Sequence, residues 1–351
     1  ASRIQGGLTM RVLFCGLGGI GQRHCRNIRS MFGDSADILA YRVRNLSLAV
    51  SPTLTVEEGV DVAEKYGVTV YHDLTEALQT KPDVTFITNP SSLHIPIALD
   101  AARAGSHLFI EKPISHDLDG LQELANEVET RGLVAFIGYQ LRFHPALQTV
   151  KKLLSEQAVG RILSVHAEVA EYLPGWHKYE DYRQMYASRK DQGGGVVLSQ
   201  IHEIDYLCDW FGAPKRVFAI GGHLSSLEVD VEDNAKVLME MMVQDRLLPI
   251  SLHMDYNQRP PSRGCKIVGE DGWIHMDLIG QRVSLIRPDG EQTDDFSDFE
   301  RNTMFERELV HFFECVKGQT TSMIGVKDGE VSLRVALAIK QSLHTGMPVH
   351  Y

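Results

Sequence analysis

The chain has 351 residues, 35 of them Lys or Arg against 46 Asp or Glu, for a formal charge of −11. Such acidity argues against phosphate-backbone binding, because nothing neutralises the nucleic acid, and no apolar run approaches the ~20 residues that cross a bilayer. With 43% hydrophobic and 23% charged residues, the composition is that of a globular protein of about two domains, which excludes collagenous, disordered and disulfide-stapled classes.

Residues 1–9 read as the remnant of an expression tag, with no secretory pattern and Met10 as the native start. From Met10, short apolar runs alternate with helix-length segments. Strands are expected at Arg11–Cys15, Ile38–Arg42, Val68–Tyr71, Val84–Thr88, His107–Ile110 and Val134–Gly138. Helices are expected at Ile20–Met31, Glu57–Tyr66, Leu74–Gln79, Leu93–Ala104 and Asp117–Thr130. Continuously apolar strands between helices predict a doubly wound parallel sheet, an α/β nucleotide-binding type of domain over residues 10–138.

After Tyr139 the rhythm changes, and a second domain is expected over residues 139–351. A helix at Pro145–Ser155 leads to a strand at Ile162–Tyr172, an irregular stretch to Gly195 and a helix at Val196–Trp210. Strand-length segments then follow one another from Arg216–His223 to Val283–Ile286, which predicts an antiparallel sheet. Helices near Met304–Lys317 and Gly329–His344 close the chain.

The five cysteines (Cys15, Cys25, Cys208, Cys265, Cys315) are scattered and never form C-x-x-C, which fits reduced thiols in a cytoplasmic protein. His223, His253, His275 and His311 stand singly, without ligand spacing, and read as structural; no metal site is expected. Met239, Met241 and Met242 read as core filler.

The first strand runs into Gly16-Leu17-Gly18-Gly19-Ile20-Gly21 and then a helix. Gly16 permits a tight turn, Gly18 lets backbone approach a pyrophosphate, and Gly21 lets the helix pack on the strand, while the helix N-terminus faces the phosphates. The alternative is a purely structural glycine turn. At the end of the second strand, where an acid would hold the ribose of NAD, stand Tyr41-Arg42-Val43-Arg44. Arg42 and Arg44 suit a 2′-phosphate, so NADP is preferred, with NAD still possible; the alternative is two solvated arginines. Glu111-Lys112-Pro113 closes a parallel strand, at the edge where such sheets bind ligands, and a cis Pro113 would aim Lys112 into the crevice. An ammonium there polarises a hydroxyl or carbonyl.

The glycine loop, Asn89-Pro90 with His94, Glu111-Lys112-Pro113, Tyr139 with Arg142-Phe143-His144-Pro145, and Asp328-Gly329 follow the order seen in the Gfo/Idh/MocA oxidoreductases. The chain resembles that family from Met10 to its end. The resemblance implies an N-terminal Rossmann domain and a C-terminal α/β domain with a large, open, mostly antiparallel sheet that lines the substrate site and forms homodimers or homotetramers. It implies a catalytic Lys112 and a cofactor site of Gly16, Gly18, Gly19, Ile20, Gly21, Asn89, Pro90, His94, Glu111, Lys112 and Arg142. The family's Gly-x3-Asp-x3-His maps onto Gly194, Leu198 and His202, so a catalytic His202 is kept and its acid is lost. Ser199 or Asp205 would have to stand in for that acid. On one helix Leu198 and His202 would share a face.

The irregular stretch is rich in aromatics. Tyr139, Trp176, His177, Tyr182 and Arg183 suit a sugar derivative, rings stacking on sugar faces and the guanidinium taking a carboxylate or phosphate. The same rings also suit packing of a long loop. The expected activity is hydride transfer between nicotinamide and a hydroxyl or carbonyl carbon of a sugar-like molecule, such as a sugar acid or nucleotide sugar. The alternatives are redox-neutral, NAD-dependent glycoside hydrolysis and a non-catalytic NADP-sensing regulator. No nucleic acid or membrane partner is expected.

Overall fold

The computed structural model describes residues 9–42, 48–51, 55–177 and 179–351, and its contacts divide the chain into two compact units. The first runs to Gly138 and takes in two later pieces, His177–Asp181 and Glu306–Glu330. The second holds Tyr139–Trp176, Tyr182–Phe305 and Val331–Tyr351, so it is not the continuous run from 139 to 351 expected above.

In the first unit β1 (Met10–Cys15), α1 (Gly19–Phe32) and β2 (Ala36–Tyr41) precede a hairpin of β3 (Leu48–Val50) and β4 (Val56–Asp61). There follow α2 (Val62–Tyr66), β5 (Val68–Tyr71), α3 (Leu74–Gln79), β6 (Val84–Ile87), α4 (His94–Arg103), β7 (His107–Glu111), α5 (Leu121–Arg131) and β8 (Ala135–Gly138). Six strands form one parallel sheet in the order β5-β2-β1-β6-β7-β8. All of β6 is buried, as a strand covered on both faces must be. The winding reverses between β1 and β6, and their C-terminal ends open the crevice where such sheets take ligands.

The hairpin was not legible. The expected helix Glu57–Tyr66 begins only at Val62, where Asp61 caps it by accepting from the backbone of Ala63 (2.7 Å) and Glu64 (3.1 Å). Its acidic first half pairs with β3 instead, and Gly59, at φ +72, turns the backbone away from helix. Pairing with a neighbour outweighed local propensity.

The second unit begins with α6 (Pro145–Ser155), β9 (Ile162–Ala170), α7 (Val196–Ser199) and α8 (His202–Phe211). Strands β10 (Pro214–Gly222), β11 (Asn234–Val243), β12 (Arg246–Asp255), β13 (Ser262–Gly269), β14 (Trp273–Asp277), β15 (Arg282–Arg287) and β16 (Gly290–Asp295) follow. After α9 (Arg301–Val316) and α10 (Val326–Thr345), β17 (Val349–His350) completes a nine-stranded sheet, ordered β16-β15-β14-β13-β9-β12-β11-β10-β17. The sheet is antiparallel except for one pair, β9 with β12, in keeping with the mostly antiparallel sheet expected. Along β11 buried and outward residues alternate, as in a sheet with one covered face. Met239 and Met241 are core residues; Met242 points outward and is exposed, contrary to expectation.

Aromatic packing consolidates the first unit. Phe14, Phe86, Phe109 and Phe136 stack across β1, β6, β7 and β8 with centroids 4.9, 4.8 and 5.5 Å apart. Phe312, from the part of α9 that belongs to this unit, sets its edge against Phe86 and Phe109. Among the described residues no helix is long and apolar enough to cross a membrane.

Candidate active site

Close packing behind and open space in front distinguish the glycine loop. Gly16 lies at φ +104, where a side chain is strained, and a Cβ there would be 2.9 Å from the Asn89 nitrogen. A Cβ on Gly21 would collide with the Gly16 carbonyl and lie 2.8 Å from Thr88 Oγ1, whose hydroxyl donates to that carbonyl at 2.6 Å. At Gly18, the N-cap of α1, a Cβ would meet nothing within 4 Å. The first turn of α1, with Gly19 and Ile20, directs its N–H groups and dipole toward that space. The loop therefore fits a dinucleotide pyrophosphate. Gly21→Ala should cost about 1–3 kcal/mol by overpacking and weaken dinucleotide binding, readable by thermal denaturation and cofactor titration; an unchanged midpoint would count against this packing role.

Arg42 follows β2, with its N–H donating to the Tyr71 carbonyl at 3.0 Å and its own carbonyl 3.0 Å from His72 Nδ1. Burial draws the Arg42 pKa down, and the charge of the Asp61 carboxylate pushes it back up. The sequence reading saw no acid near Arg42, because the hairpin that delivers Asp61 was itself missed. Arg44 lies outside the described residues.

The turns after β6 and β7 meet at a buried imidazole. His94 Nδ1 is 2.8 Å from the Pro113 carbonyl and Nε2 is 2.8 Å from the Asn89 carbonyl. His94 thus lies between Asn89-Pro90 and the Lys112 turn; burial holds its pKa below the ordinary value, and the neutral ring, with a single N–H, donates to one of the two carbonyls. The Lys112–Pro113 bond is cis. Glu111 lies buried beneath the turn, with Oε1 2.8 Å from His24 Nε2 and Oε2 accepting from the Lys112 N–H at 3.2 Å. It supports Lys112 from behind.

In the second unit the expected helix Val196–Trp210 is two helices. α7 stops at Ser199, and Gln200 turns to ψ 33 as its amide donates to the Asp255 carbonyl at 3.3 Å. Leu198 and His202 therefore do not stack one turn apart on a single helix. Gln140 Nε2 lies 3.1 Å from His202 Nε2. The Gln140 side-chain amide is therefore the hydrogen-bonding neighbour of the imidazole at Nε2. The Tyr139 ring edges onto the imidazole at 5.9 Å. Gln140 is the partner that sequence reading missed, because nothing in the spacing links it to His202.

Asp205 is committed elsewhere. It accepts from Arg142 Nε at 2.9 Å and Nη2 at 2.8 Å, and from Ser332 Oγ at 3.2 Å. Arg142, expected at the cofactor, is engaged inside the second unit, with Asp209 a further 3.4 Å neighbour. Burial lifts the Asp205 pKa above the usual carboxylate range, with Arg142 opposing.

Of the aromatic stretch, Trp176 packs edge-on against Tyr256 at 5.4 Å. The Tyr182 hydroxyl accepts from the Glu228 N–H at 3.2 Å, and Arg183 Nη1 donates to the Glu228 carboxylate at 3.0 Å. His177 groups with the first unit, its Nδ1 2.6 Å from Glu180 and its ring stacked on Tyr179. Gly194 and Gly195 are required by close approach: a Cβ would strike the Tyr186 carbonyl in one case and Glu232 in the other. Among the described residues, no three His, Cys, Asp or Glu side chains gather as a metal site.

The profile of an oxidoreductase family with an NAD-binding Rossmann fold, GFO_IDH_MocA, matches residues 10–139, and that of the GFO/IDH/MocA C-terminal domain matches 147–275. The chain belongs to the Gfo/Idh/MocA oxidoreductases. Scyllo-inositol 2-dehydrogenase (NAD(+)) of Bacillus subtilis (strain 168) is 23% identical over 355 residues, covering 97% of this chain and 96% of that protein. 1,5-anhydro-D-fructose reductase of Ensifer adhaerens is 25% identical over 306 residues, covering 83% and 87%. Among solved folds, the WlbA dehydrogenase from Bordetella pertussis, in complex with NADH and UDP-GlcNAcA, superposes with a TM-score of 0.78 at 21% identity, covering 98% of this chain and 99% of that one. As a Gfo/Idh/MocA member the chain is an enzyme of the dehydrogenase and reductase kind, with the expected Rossmann and open-sheet architecture.

Proposed function

We propose that this enzyme is an NADP-preferring dehydrogenase or reductase acting on a hydroxyl or carbonyl carbon of a sugar-like molecule. The observation that carries the reading is the placement of the Lys112 turn at a strand end beside the open glycine loop, with the buried His94 packed between its Pro113 carbonyl and that of Asn89. When bound, the nicotinamide supplies hydride exchange with a carbon that bears oxygen. Lys112 holds that oxygen and stabilises the charge it develops. His202 of the second unit is the candidate proton carrier. The substrates named for the relatives, an inositol and an anhydro-fructose, support a polyol or sugar derivative, and UDP-GlcNAcA in the structural neighbour keeps nucleotide sugars in view. Trp176, Tyr182 and Arg183 are the proposed contacts of that substrate.

The NADP preference rests on Arg42. Charge-assisted contacts to a 2′-phosphate at about 1.5–3 kcal/mol should favour NADPH tenfold or more. Arg42→Ala should abolish that margin. Asp61→Asn, which keeps a good helix cap, should widen it by releasing the guanidinium from its acid. Fluorescence titration of both reduced cofactors decides; equal affinities in the native protein would overturn the preference, and NAD(+) and NADH are the forms named for the relatives above.

A nicotinamide-absorbance screen of polyols, sugars, sugar acids and nucleotide sugars with both cofactors tests the activity itself. Turnover with cofactor retained and unreduced would point to redox-neutral hydrolysis, and binding without any turnover to a regulator. Exposed Ile220, Leu238 and Leu247, which alternate onto one face of the nine-stranded sheet, support a homo-oligomer through that face. Free cysteines throughout support a cytoplasmic setting.

A further inference from the structure

A second acid is buried behind Glu111. Glu308 lies on α9, in the piece that belongs to the first unit, and its side chain is completely inaccessible. Neither of its carboxylate oxygens has a hydrogen-bond partner among the described residues. Two periodicities place it. Phe312, one helical turn further along the same face of α9, meets Phe109 with centroids 5.4 Å apart. Phe109 and Glu111 are two residues apart on β7 and so face the same side of the sheet. Glu308, one turn back on that face, is close enough to Glu111 at the end of β7 to feel its charge.

Glu111 is already held on its other sides, by His24 at 2.8 Å and the Lys112 N–H at 3.2 Å. A Cβ on Gly138, its β8 neighbour, would lie 3.3 Å from its carboxylate, so the space is closed there as well. An ionised carboxylate held away from water, with no donor to either oxygen and a second acid nearby, is strongly disfavoured. Burial and the charge of Glu111 both push the Glu308 carboxyl well above its ordinary range.

We propose that Glu308 is a positioning residue, a neutral carboxylic acid that donates its hydrogen bond to Glu111 and so holds the backbone of Lys112. The proposal rests on the reading of Lys112 as the group at the reacting oxygen. A protonated acid has the donor that Glu111 lacks on this side, and it leaves one negative charge under the turn.

Three readouts test it. Glu308→Gln keeps shape, neutrality and a donor, and should change kcat by no more than about threefold. Against the native protein at neutral pH, it should also lose one infrared carbonyl band of a protonated carboxylic acid. Glu308→Met keeps the volume without the donor, and should lower kcat tenfold or more, as losing a hydrogen bond to a charged group does, with cofactor affinity unchanged. In NMR spectra the Lys112 amide resonance should move in the Met variant and stay near its native position in the Gln variant. No band lost in Glu308→Gln would overturn the neutral acid. A native Lys112 resonance in a folded Glu308→Met would overturn the positioning role. The infrared and NMR outcomes need no substrate, so they stand apart from a failure to find any turnover.

Discussion

Lys112→Met lowers kcat by about 10²–10³-fold, the usual cost of removing a group that stabilises charge on a reacting oxygen, while dinucleotide affinity stays nearly intact. The expectation follows from where the charge stands. Lys112 follows the last residue of β7, its backbone donating to Glu111 and the Pro113 carbonyl of its turn 2.8 Å from His94 Nδ1. The glycine loop and the first turn of α1, which would hold the phosphates, belong to other elements and lose nothing in the variant. His202→Asn should cost about 10²-fold, in the range of general acid–base catalysis, and flatten any pH dependence near neutrality. Steady-state rates of both variants against pH, once a substrate is in hand, provide the check. A Lys112→Met enzyme with near-normal kcat would mean that the chemistry is not organised around this turn.

The largest stability effect is expected at the Arg142–Asp205 pair. Both side chains are buried and joined by two hydrogen bonds of 2.8 and 2.9 Å, so Arg142→Met strands a carboxylate in the interior at a cost of about 3–5 kcal/mol. The cost depends on pH, with a definite sign. Burial already raises the Asp205 pKa in the folded protein, and Arg142 is what opposes that rise. Without Arg142 the folded pKa climbs further, so the folded state binds a proton that the unfolded state has released. The variant is therefore least damaged in acid and loses stability as pH rises from the ordinary Asp range through the new folded value. Denaturant titrations of both proteins at several pH values test this. A deficit independent of pH would show that Asp205 finds another cation, and a negligible one that the pair adds nothing. Arg142→Met with Asp205→Leu should recover part of the loss, since a matched apolar pair leaves no orphaned charge.

Local chemistry made most of the architecture legible. The apolar runs at Val68–Tyr71 and Val84–Ile87, the glycine loop before α1 and the Pro at the start of α6 each report their own structure within a few residues. The Lys112 turn was readable because a glycine loop and a Glu-Lys-Pro rarely occur together by accident. What could not be read depends on partners far away in sequence. β4 looked helical until β3 paired with it, and the helix before His202 is interrupted where Gln200 reaches the Asp255 carbonyl. Arg142 looked like a cofactor contact and Asp205 like a stand-in acid; each is occupied by the other. Gln140 at His202 and Glu308 behind Glu111 left no trace, since tertiary contacts fix both.

The return of residues 306–330 to the first unit bears on how this enzyme can be taken apart. Phe312 and Phe313 come from that late piece and pack on Phe86 at the centre of the parallel sheet. Gly329 belongs to it too: a Cβ there would lie 3.0 Å from Ile114 and 3.1 Å from Ile137. A fragment ending at Gly138 would thus be left with its aromatic wall uncovered, and a deletion within residues 306–330 would injure the unit built mainly from the earlier residues. Exchanging cofactor specificity between relatives by recombination accordingly requires two crossovers, one near Gly138 and one that carries the late segment along with its sheet.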